Sequence, residues 1–260
     1  MELQQKSIDT LNGPVQYFTC GRGKPMLLLH GFLGRPQDFR WILPMVSQHY
    51  EAFLPELPGM VSTPLGNHPA LDQKGMAGFV EQFLNSMNIE RCIIIGHSMG
   101  AGVAVGFAAR FPHRVSSLGL ISPVSHRMHQ ALRRIRPDVG ARLLGGRWSS
   151  LFWPVARWLL RRMGFPRGVT DESILNSMRF NTLFDYELHK QALSSIRAPL
   201  LLAYCEDDPQ IETTIFLELE SLVSATNVLR FKQGGHNPQR SHADLIAKAI
   251  LELGDDLEVR

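Results

Sequence analysis

The feature that most constrains the fold is the segment 96–100, which reads Gly-His-Ser-Met-Gly. Residues 91–95, before it, form a β-branched run typical of a buried strand, and residues 101–110, after it, are small and apolar, as in a closely packed helix. A serine between such a strand and such a helix lies on a tight turn, in a strained conformation at the positive end of the helix dipole. The segment therefore predicts Ser98 as a nucleophile, with a glycine on either side where a side chain would collide with the neighbouring strand and helix.

The rest of the chain alternates short apolar strands with helical segments. Strands are predicted at residues 15–19, 26–29, 52–56, 92–95, 115–121, 200–204 and 228–231, and helices at residues 36–48, 72–87, 101–110, 211–223 and 241–253. Because most strands are apolar throughout, they predict an α/β fold with a mostly parallel sheet covered by helices on both faces. Ligands of such sheets bind beyond the carboxyl ends of the strands.

This alternation is interrupted once, between residues 123 and 196, where helix-like pieces and turn residues occur without a good strand. The chain is therefore predicted to have a core domain of residues 1–122 and 197–260. The helical insertion of residues 123–196 is expected to form a cap on that core.

A serine hydroxyl is a weak nucleophile unless a base accepts its proton and a carboxylate orients that base. His236 lies in a glycine-rich loop after the last predicted strand and is the expected base. His97 flanks the serine, but side chains diverge on such a turn, so a structural role is expected for it. The acid is expected in the loop after residue 204, with Asp208 the first choice and Asp207 the second.

The oxyanion of an acyl-transfer transition state needs fixed hydrogen-bond donors. The backbone N–H of Met99, directly after the nucleophile, is one expected donor. The loop 30–34 reads His-Gly-Phe-Leu-Gly and follows an earlier strand, so the N–H of Phe32 is the expected second donor. His30 and Gly31 of the same loop are expected to contact the substrate.

Taken in order, the loop 30–34, the serine turn, the acid before Pro209 and the Gly-Gly-His-Asn-Pro loop make the chain resemble the α/β-hydrolase family. The resemblance implies an eight-stranded sheet with a helical cap after the sixth strand, and a serine hydrolase that needs no cofactor. A serine nucleophile argues against the dehalogenases and epoxide hydrolases of this fold, which use aspartate. One departure is in the loop after the fourth strand, where Glu56 and Val61 replace an aspartate and a glycine that are frequent in the family.

Composition excludes several other classes of protein. No apolar run approaches the roughly 18 residues that span a bilayer, and the N-terminus has no apolar leader segment. The three cysteines have no disulfide or metal-ligand spacing. A cytoplasmic protein without a metal is therefore expected.

The insertion is unusually basic. Residues 123–170 contain ten arginines, no lysine and one acid, a net charge of +9, whereas the rest of the chain has 17 basic and 23 acidic residues. Trp148, Trp153 and Trp158 lie within it and are expected to contact the substrate. Three interpretations of its charge stay open: solvated arginines on a cap whose apolar face covers the site, an acidic carrier protein or substrate bound by Arg157, Arg161 and Arg162, or contact with an anionic lipid surface. No motif accompanies the charge that would indicate nucleic-acid binding.

These patterns together predict a carboxylesterase-type serine hydrolase that acts on a small, moderately apolar ester. Thioester hydrolysis and carbon–carbon bond hydrolysis use the same three residues and stay open as alternatives. A binding protein without catalytic activity, built on a hydrolase scaffold, is the alternative from another class.

Overall fold

The computed structural model describes residues 2–67, 71–162 and 169–255, and an eight-stranded sheet forms its centre. The strands are β1 (Gln4–Thr10), β2 (Gly13–Gly21), β3 (Lys24–Leu29), β4 (Tyr50–Pro55), β5 (Cys92–His97), β6 (Val115–Ile121), β7 (Leu200–Cys205) and β8 (Asn227–Phe231). Their order is β1-β2-β4-β3-β5-β6-β7-β8. The β1/β2 and β2/β4 pairs are antiparallel and all the others are parallel. The predicted mostly parallel, eight-stranded sheet is thus confirmed.

Strand β1 is the one strand that no pattern in the residues predicts. Its sequence, Gln-Gln-Lys-Ser-Ile-Asp-Thr, is polar, and most of its side chains are exposed at the edge of the sheet. Polar edge strands discourage pairing with a second sheet, so such a strand lacks the apolar pattern by which strands are found.

The helices are α1 (Leu43–Val46), α2 (Gln73–Ser86), α3 (Met99–Arg110), α4 (Gln130–Ile135), α5 (Pro137–Leu144), α6 (Ser149–Arg162), α7 (Asp171–Thr182), α8 (Tyr186–Ser195), α9 (Thr213–Leu222), α10 (Pro238–Ser241) and α11 (Ala243–Asp255). The helix predicted over residues 36–48 is wrong in its extent. A 3₁₀ turn at Pro36–Phe39 and the short α1 replace it, and a proline near the start of each breaks the continuous hydrogen bonding of one long helix.

Two apolar cores lie on the two faces of the sheet. Helices α2, α3, α8 and α9 cover one face, which includes Ile94 of β5. Helices α1 and α11 cover the other face, which includes Ile95. Consecutive side chains of a strand point to opposite faces, so β5 is buried on both sides and delivers residue 98 to the carboxyl edge of the sheet.

Helices α4 to α8 all lie between β6 and β7, where the helical insertion was predicted. Hydrogen bonds join this insertion to the core at several points. The Ala131 N–H donates to the Gln210 carbonyl over 3.1 Å, and the Asn176 amide donates to the Gly59 carbonyl over 3.0 Å. The Asp185 N–H donates to the side chain of Gln73 over 2.8 Å. Across the described ranges, no helix has both the length and the apolar content needed to cross a bilayer.

Candidate active site

Ser98 occupies the turn between β5 and α3 with φ 53° and ψ −117°. Positive φ is uncommon for a residue with a side chain, and such strain persists only where the surrounding structure holds it. Here the Ser98 N–H donates to the Ile121 carbonyl over 2.9 Å, and the Ser98 carbonyl accepts from the Ala101 N–H over 3.0 Å. The turn is thus tied to β6 on one side and to the first turn of α3 on the other.

The glycines around Ser98 are required by close backbone contacts. A Cβ atom on Gly96 would overlap Ala101 of α3, and one on Gly100 would overlap the carbonyl groups of Leu29 and His30. A Cβ atom on Gly31 would lie only 3.1 Å from the Cβ of Ser98. The absence of side chains therefore lets β3, its following loop and α3 meet at the serine.

His236 lies between Ser98 and Asp208. Its Nε2 is 2.9 Å from the Ser98 Oγ, and its Nδ1 is 2.7 Å from the Asp208 Oδ2. All three residues are buried. A carboxylate can only accept, so Asp208 selects the tautomer with a proton on Nδ1, which leaves Nε2 free to accept from the serine hydroxyl.

Several donors hold Asp208 as a carboxylate. Burial acts to raise its pKa, but the charge of His236 and the hydrogen bonds to Asp208 outweigh burial and bring the pKa below its usual value. Its Oδ1 accepts from the N–H groups of Gln210 and Ile211 over 2.8 and 3.1 Å. Asp208 is thus fixed in the form that orients the imidazole.

Asp207, the second choice for the acid, binds backbone instead. Its two carboxylate oxygens accept from the N–H groups of Gly234 and Gly235 over 3.1 and 2.8 Å. Both glycines have positive φ, 139° and 70°. The structure therefore brings Asp208 to the imidazole of His236, and Asp207 to the loop that carries it.

His97 supports that loop from the opposite side. Its Nε2–H donates to the backbone carbonyl of His236 over 2.8 Å. Burial, followed by the charge of His236, lowers the pKa of His97 to about 3, so the ring is neutral. The expected structural role of His97 thus takes the form of a hydrogen bond to the residue that holds the base.

The loop after β3 lies beside Ser98, but His30 does not line the pocket. The His30 Nδ1–H donates to the Gly31 carbonyl over 3.0 Å, and its Nε2 accepts from the Leu57 N–H over 3.1 Å. Burial lowers the pKa of His30, in keeping with a neutral ring. Because both nitrogens are engaged within the protein, His30 stabilises the loop. The structure does not place it for the substrate contact that was expected.

Gly31 and Phe32 do line the pocket around Ser98. Met99 is the first residue of α3, so its N–H has no acceptor within the helix. The expected oxyanion donors thus lie in two different segments. Phe32 lines the same pocket as Ser98, and Met99 directly follows Ser98 in the chain.

The pocket has a volume of about 490 Å³. Its lining includes the exposed residues Arg40, Trp41 and Arg240, which we call the mouth. The guanidinium carbons of Arg40 and Arg240 lie 4.6 and 5.8 Å from the Trp41 ring centroid, within range for cation–π contact. Sequence reasoning missed this group, because residues 36–48 were predicted to form one helix of the core domain and Trp41 was not distinguished within it. The available signal was the position of Arg240, four residues after His236, since residues beside a catalytic loop commonly border the site.

The tryptophans of the insertion are not brought to this pocket, contrary to expectation. Trp148 and Trp158 are 67% and 54% exposed, and Trp153 is partly buried beside Leu160 and Leu33. None of the three is among the described residues that line the pocket. The reason is the orientation of α6, which turns most of its large apolar side chains away from the core.

The three arginines predicted to bind an anionic partner lie at the surface. Arg157 forms a paired hydrogen bond with Asp171, including a 2.9 Å contact from Nε to Oδ1. The Arg162 guanidinium lies 5.1 Å from the ring of Trp158. In the described part of the chain, Arg161 and Arg162 have no acidic partner.

The loop after β4 is closed by the two residues that depart from the family pattern. The Glu56 carboxylate is buried and accepts from the N–H and the hydroxyl of Ser62 over 3.0 and 2.6 Å. Val61 has a φ of 60°, in the region where a glycine costs least. The loop therefore forms with glutamate and valine, at the cost of strain at Val61.

Within the described ranges, no group of three or more histidine, cysteine, aspartate or glutamate side chains could hold a metal ion.

A known protein family and several curated proteins are similar to this chain. Residues 26–249 match the model of the Alpha/beta hydrolase family. The dihydrolipoyllysine-residue acetyltransferase component of the acetoin cleaving system of Cupriavidus necator is 38% identical over 112 residues, which are 42% of this chain but only 29% of that protein. The 2-hydroxy-6-oxo-6-phenylhexa-2,4-dienoate hydrolase of Burkholderia cepacia is 24% identical over 260 residues, with 90% of this chain and 88% of that protein covered.

Solved structures share the fold over nearly the whole chain. Naproxen esterase (carboxylesterase NP) from Bacillus subtilis superposes with a TM-score of 0.72 at 16% identity, and covers 96% of this chain and 91% of its own. Since the family model spans residues 26–249, which are most of the chain, the chain belongs to the alpha/beta hydrolase family.

Proposed function

We propose that this protein is a serine hydrolase that cleaves carboxylic esters through an acyl-enzyme intermediate. The observation that carries the proposal is the hydrogen-bonded series Ser98–His236–Asp208, with contacts of 2.9 and 2.7 Å. A hydroxyl, a base and an orienting carboxylate at these distances are the groups that nucleophilic acyl transfer requires.

The first half of the reaction forms the acyl-enzyme. The Ser98 Oγ attacks the carbonyl carbon while its proton passes to the His236 Nε2, and the ester carbonyl becomes an oxyanion. The N–H groups of Met99 and Phe32 are the proposed donors to that oxyanion. When the carbon–oxygen bond breaks, the imidazolium returns the proton to the departing alcohol.

The second half releases the acid. Water takes the place of the alcohol, gives a proton to His236 and attacks the acyl carbonyl, after which the proton returns to the Ser98 Oγ. Asp208 remains a carboxylate throughout and stabilises the imidazolium at each stage, in keeping with its lowered pKa. No metal or cofactor is needed for these steps.

The pocket favours an acyl group of moderate size. Its volume of about 490 Å³ is within the usual range for small-molecule sites. Leu33 and Phe32 supply apolar contact near the serine, and Arg40 and Arg240 border the mouth. Guanidinium groups bind carboxylates and phosphates, so an ester with an acidic group suits this mouth.

The test of the proposal is turnover of p-nitrophenyl esters of increasing acyl length, with Ser98→Ala as the inactive control. Wild-type protein should hydrolyse them, and a fluorophosphonate probe should label Ser98. A wild-type protein that neither turns over esters nor reacts with the probe would identify a binding protein on a hydrolase scaffold. Activity retained by Ser98→Ala would remove the serine from the mechanism.

A second candidate is carbon–carbon bond hydrolysis. The Burkholderia cepacia relative is named for a 2-hydroxy-6-oxo-dienoate, which has no ester bond, and it aligns with 90% of this chain. That compound carries a carboxylate that the arginines at the mouth could bind. Turnover of 2-hydroxy-6-oxo-6-phenylhexa-2,4-dienoate with kcat/KM above that of every ester tested would favour this candidate. Thioesters of coenzyme A belong in the same panel of substrates, because their phosphates are anionic groups that the arginines at the mouth could also bind.

A further inference from the structure

Helix α6 has two different faces. The side chains on its inner face are Trp153, Ala156 and Leu160, spaced three and four residues apart, and they join an apolar cluster of the insertion. The remaining large apolar side chains of the segment face away from the core, and Leu160 is the one residue of α6 that is fully buried.

The outward face is apolar along its whole length. Six residues form it: Trp148, Leu151, Phe152, Val155, Trp158 and Leu159. At 100° per residue, Leu151, Val155 and Leu159 lie nearly in line, flanked by the other three, so the six side chains form one continuous stripe. Leu151 is 67% exposed and Val155 56% exposed. Exposed apolar residues are normally scattered singly over a protein surface. Six large ones in one continuous stripe therefore mark a surface that binds another molecule.

Arginines border this stripe. Arg147 and Arg161 lie along one side of it, and Arg162 lies at its end, where its guanidinium is stacked on Trp158. None of these three has an acidic partner in the ranges that the structure describes. Four arginines of the insertion, Arg127, Arg133, Arg136 and Arg157, are ion-paired with glutamates or aspartates. Arg147, Arg161 and Arg162 are therefore available to bind an anion at this face.

The stripe also has a defined relation to the active site. The inner face of α6 belongs to the same apolar cluster as Leu33 and Phe32, which follow β3 and line the pocket beside Ser98. The stripe therefore lies on the side of α6 opposite to the apolar cluster that extends to the pocket.

We propose that the outer face of α6, with Arg147, Arg161 and Arg162, docks on an anionic phospholipid bilayer. Tryptophans and leucines enter the headgroup boundary of a membrane, while arginines at their border bind lipid phosphates. The helix then lies in the plane of the surface and presents the insertion side of the hydrolase to the lipid.

Charge selects this occupant over a second copy of the chain. Two copies that met through α6 would bring two sets of unpaired arginines together, with no described acid on the face to neutralise them. A zwitterionic surface would satisfy the apolar stripe but not the arginines. An anionic bilayer satisfies both.

The test is co-sedimentation of the full chain with vesicles of phosphatidylcholine alone and of phosphatidylcholine with 30% phosphatidylglycerol. The Ser98→Ala variant is used throughout, so that the result does not depend on catalysis. We expect at least tenfold tighter binding to the anionic vesicles, lost in 0.5 M NaCl because salt screens the arginines. The tryptophan emission should shift to shorter wavelength on binding.

Two pairs of variants locate the contact. Arg161→Glu/Arg162→Glu and Leu151→Ser/Trp158→Ser should each weaken binding at least tenfold. The control for the arginines is Arg22→Glu/Arg91→Glu, which makes the same change of charge just before β3 and β5, at the amino ends of the strands. The control for the apolar residues is Leu217→Ser/Leu245→Ser, which changes two exposed leucines outside α6. Circular dichroism and thermal unfolding should be unchanged in all four.

Three outcomes would overturn the proposal. They are no preference of the parent protein for anionic vesicles, equal loss of binding in test and control variants, and a concentration-dependent dimer in sedimentation velocity that Leu151→Ser/Trp158→Ser dissociates. Hydrolysis of p-nitrophenyl esters by the same α6 variants, made with Ser98 intact, should match wild type, so loss of docking and loss of catalysis are measured separately.

Discussion

Asp207 and Asp208 are adjacent in the chain, and their carboxylates hold two different parts of one histidine loop. Asp208 accepts from the imidazole of His236 over 2.7 Å, whereas Asp207 accepts from the backbone of Gly234 and Gly235. One acid thus orients the ring and the other positions the main chain beneath it. A pair of neighbouring acids therefore has two separable effects on the same base.

Substitution of each acid should separate these effects. Asp208→Asn should lower kcat for a p-nitrophenyl ester by about 10⁴, because the amide stabilises the wrong tautomer of the imidazole. Asp207→Asn should lower kcat by about tenfold, because the loop keeps one of its two hydrogen bonds. Glu206→Gln, at an exposed neighbouring position, is the matched control and should be silent. A larger loss in Asp207→Asn than in Asp208→Asn would reverse the two roles.

The turn at Ser98 should tolerate no added methyl group at Gly100. A Cβ there would overlap the carbonyl groups of Leu29 and His30, so Gly100→Ala should cost about 3 kcal/mol or more of unfolding free energy in urea. Gly78→Ala is the control within α2, where a Cβ meets nothing within 4 Å. That change should stabilise the protein by about 0.5–1 kcal/mol, since alanine favours a helix. Equal effects at both glycines would contradict the close contact at the turn.

His97 should act on the rate through the position of His236. His97→Phe removes the hydrogen bond to the His236 carbonyl and should lower kcat about tenfold with KM unchanged. With its pKa lowered to about 3, His97 is neutral above about pH 4, so it does not titrate in the range of activity. The midpoint of the acid limb of the kcat profile should therefore be the same in both proteins. A shifted midpoint or a changed KM would show that His97 meets the substrate or carries charge.

The arginines at the mouth should discriminate by the charge of the substrate. Arg40→Ala and Arg240→Ala should each raise KM for mono-(4-nitrophenyl) succinate about fivefold, because an exposed guanidinium–carboxylate contact is worth about 1 kcal/mol. Their KM values for neutral p-nitrophenyl butyrate should stay within twofold of wild type. Arg91→Ala, directly before β5 at the amino ends of the strands, serves as the charge control. Parallel changes for both esters would mean that the arginines shape the pocket without binding an anion.

Much of the fold was predictable because its signals are local. The run 91–95, the turn around Ser98 and the small residues after it specify strand, elbow and helix within about twenty residues. The remaining strands of the parallel region were found by their apolar content, which burial on both faces demands. Strand β1 was not predicted, because an edge strand does not need apolar side chains on both faces.

The residues of the site were predictable in kind but not in arrangement. Sequence reasoning proposed Ser98, His236 and an acid after residue 204, since parallel strands deliver their carboxyl ends to one edge. It ranked Asp208 before Asp207 but kept both, because the choice depends on which side chain faces His236, 28 residues after Asp208 in the chain. It missed the group at Trp41 for the same reason: Arg40 and Arg240 meet only in the folded protein.

The insertion shows which features the sequence determines and which depend on the tertiary structure. By itself the sequence determined that residues 123–196 form a helical insertion, rich in arginine up to residue 170, because local pattern and composition are properties of the segment alone. Only the tertiary structure decided which side of α6 is covered. Trp153 and Leu160 join an apolar cluster that includes Leu33 of the loop after β3, and the stripe from Trp148 to Leu159 faces outward. The covered side of α6 depends on contacts with residues distant in the chain, so the pattern within this helix alone did not specify it.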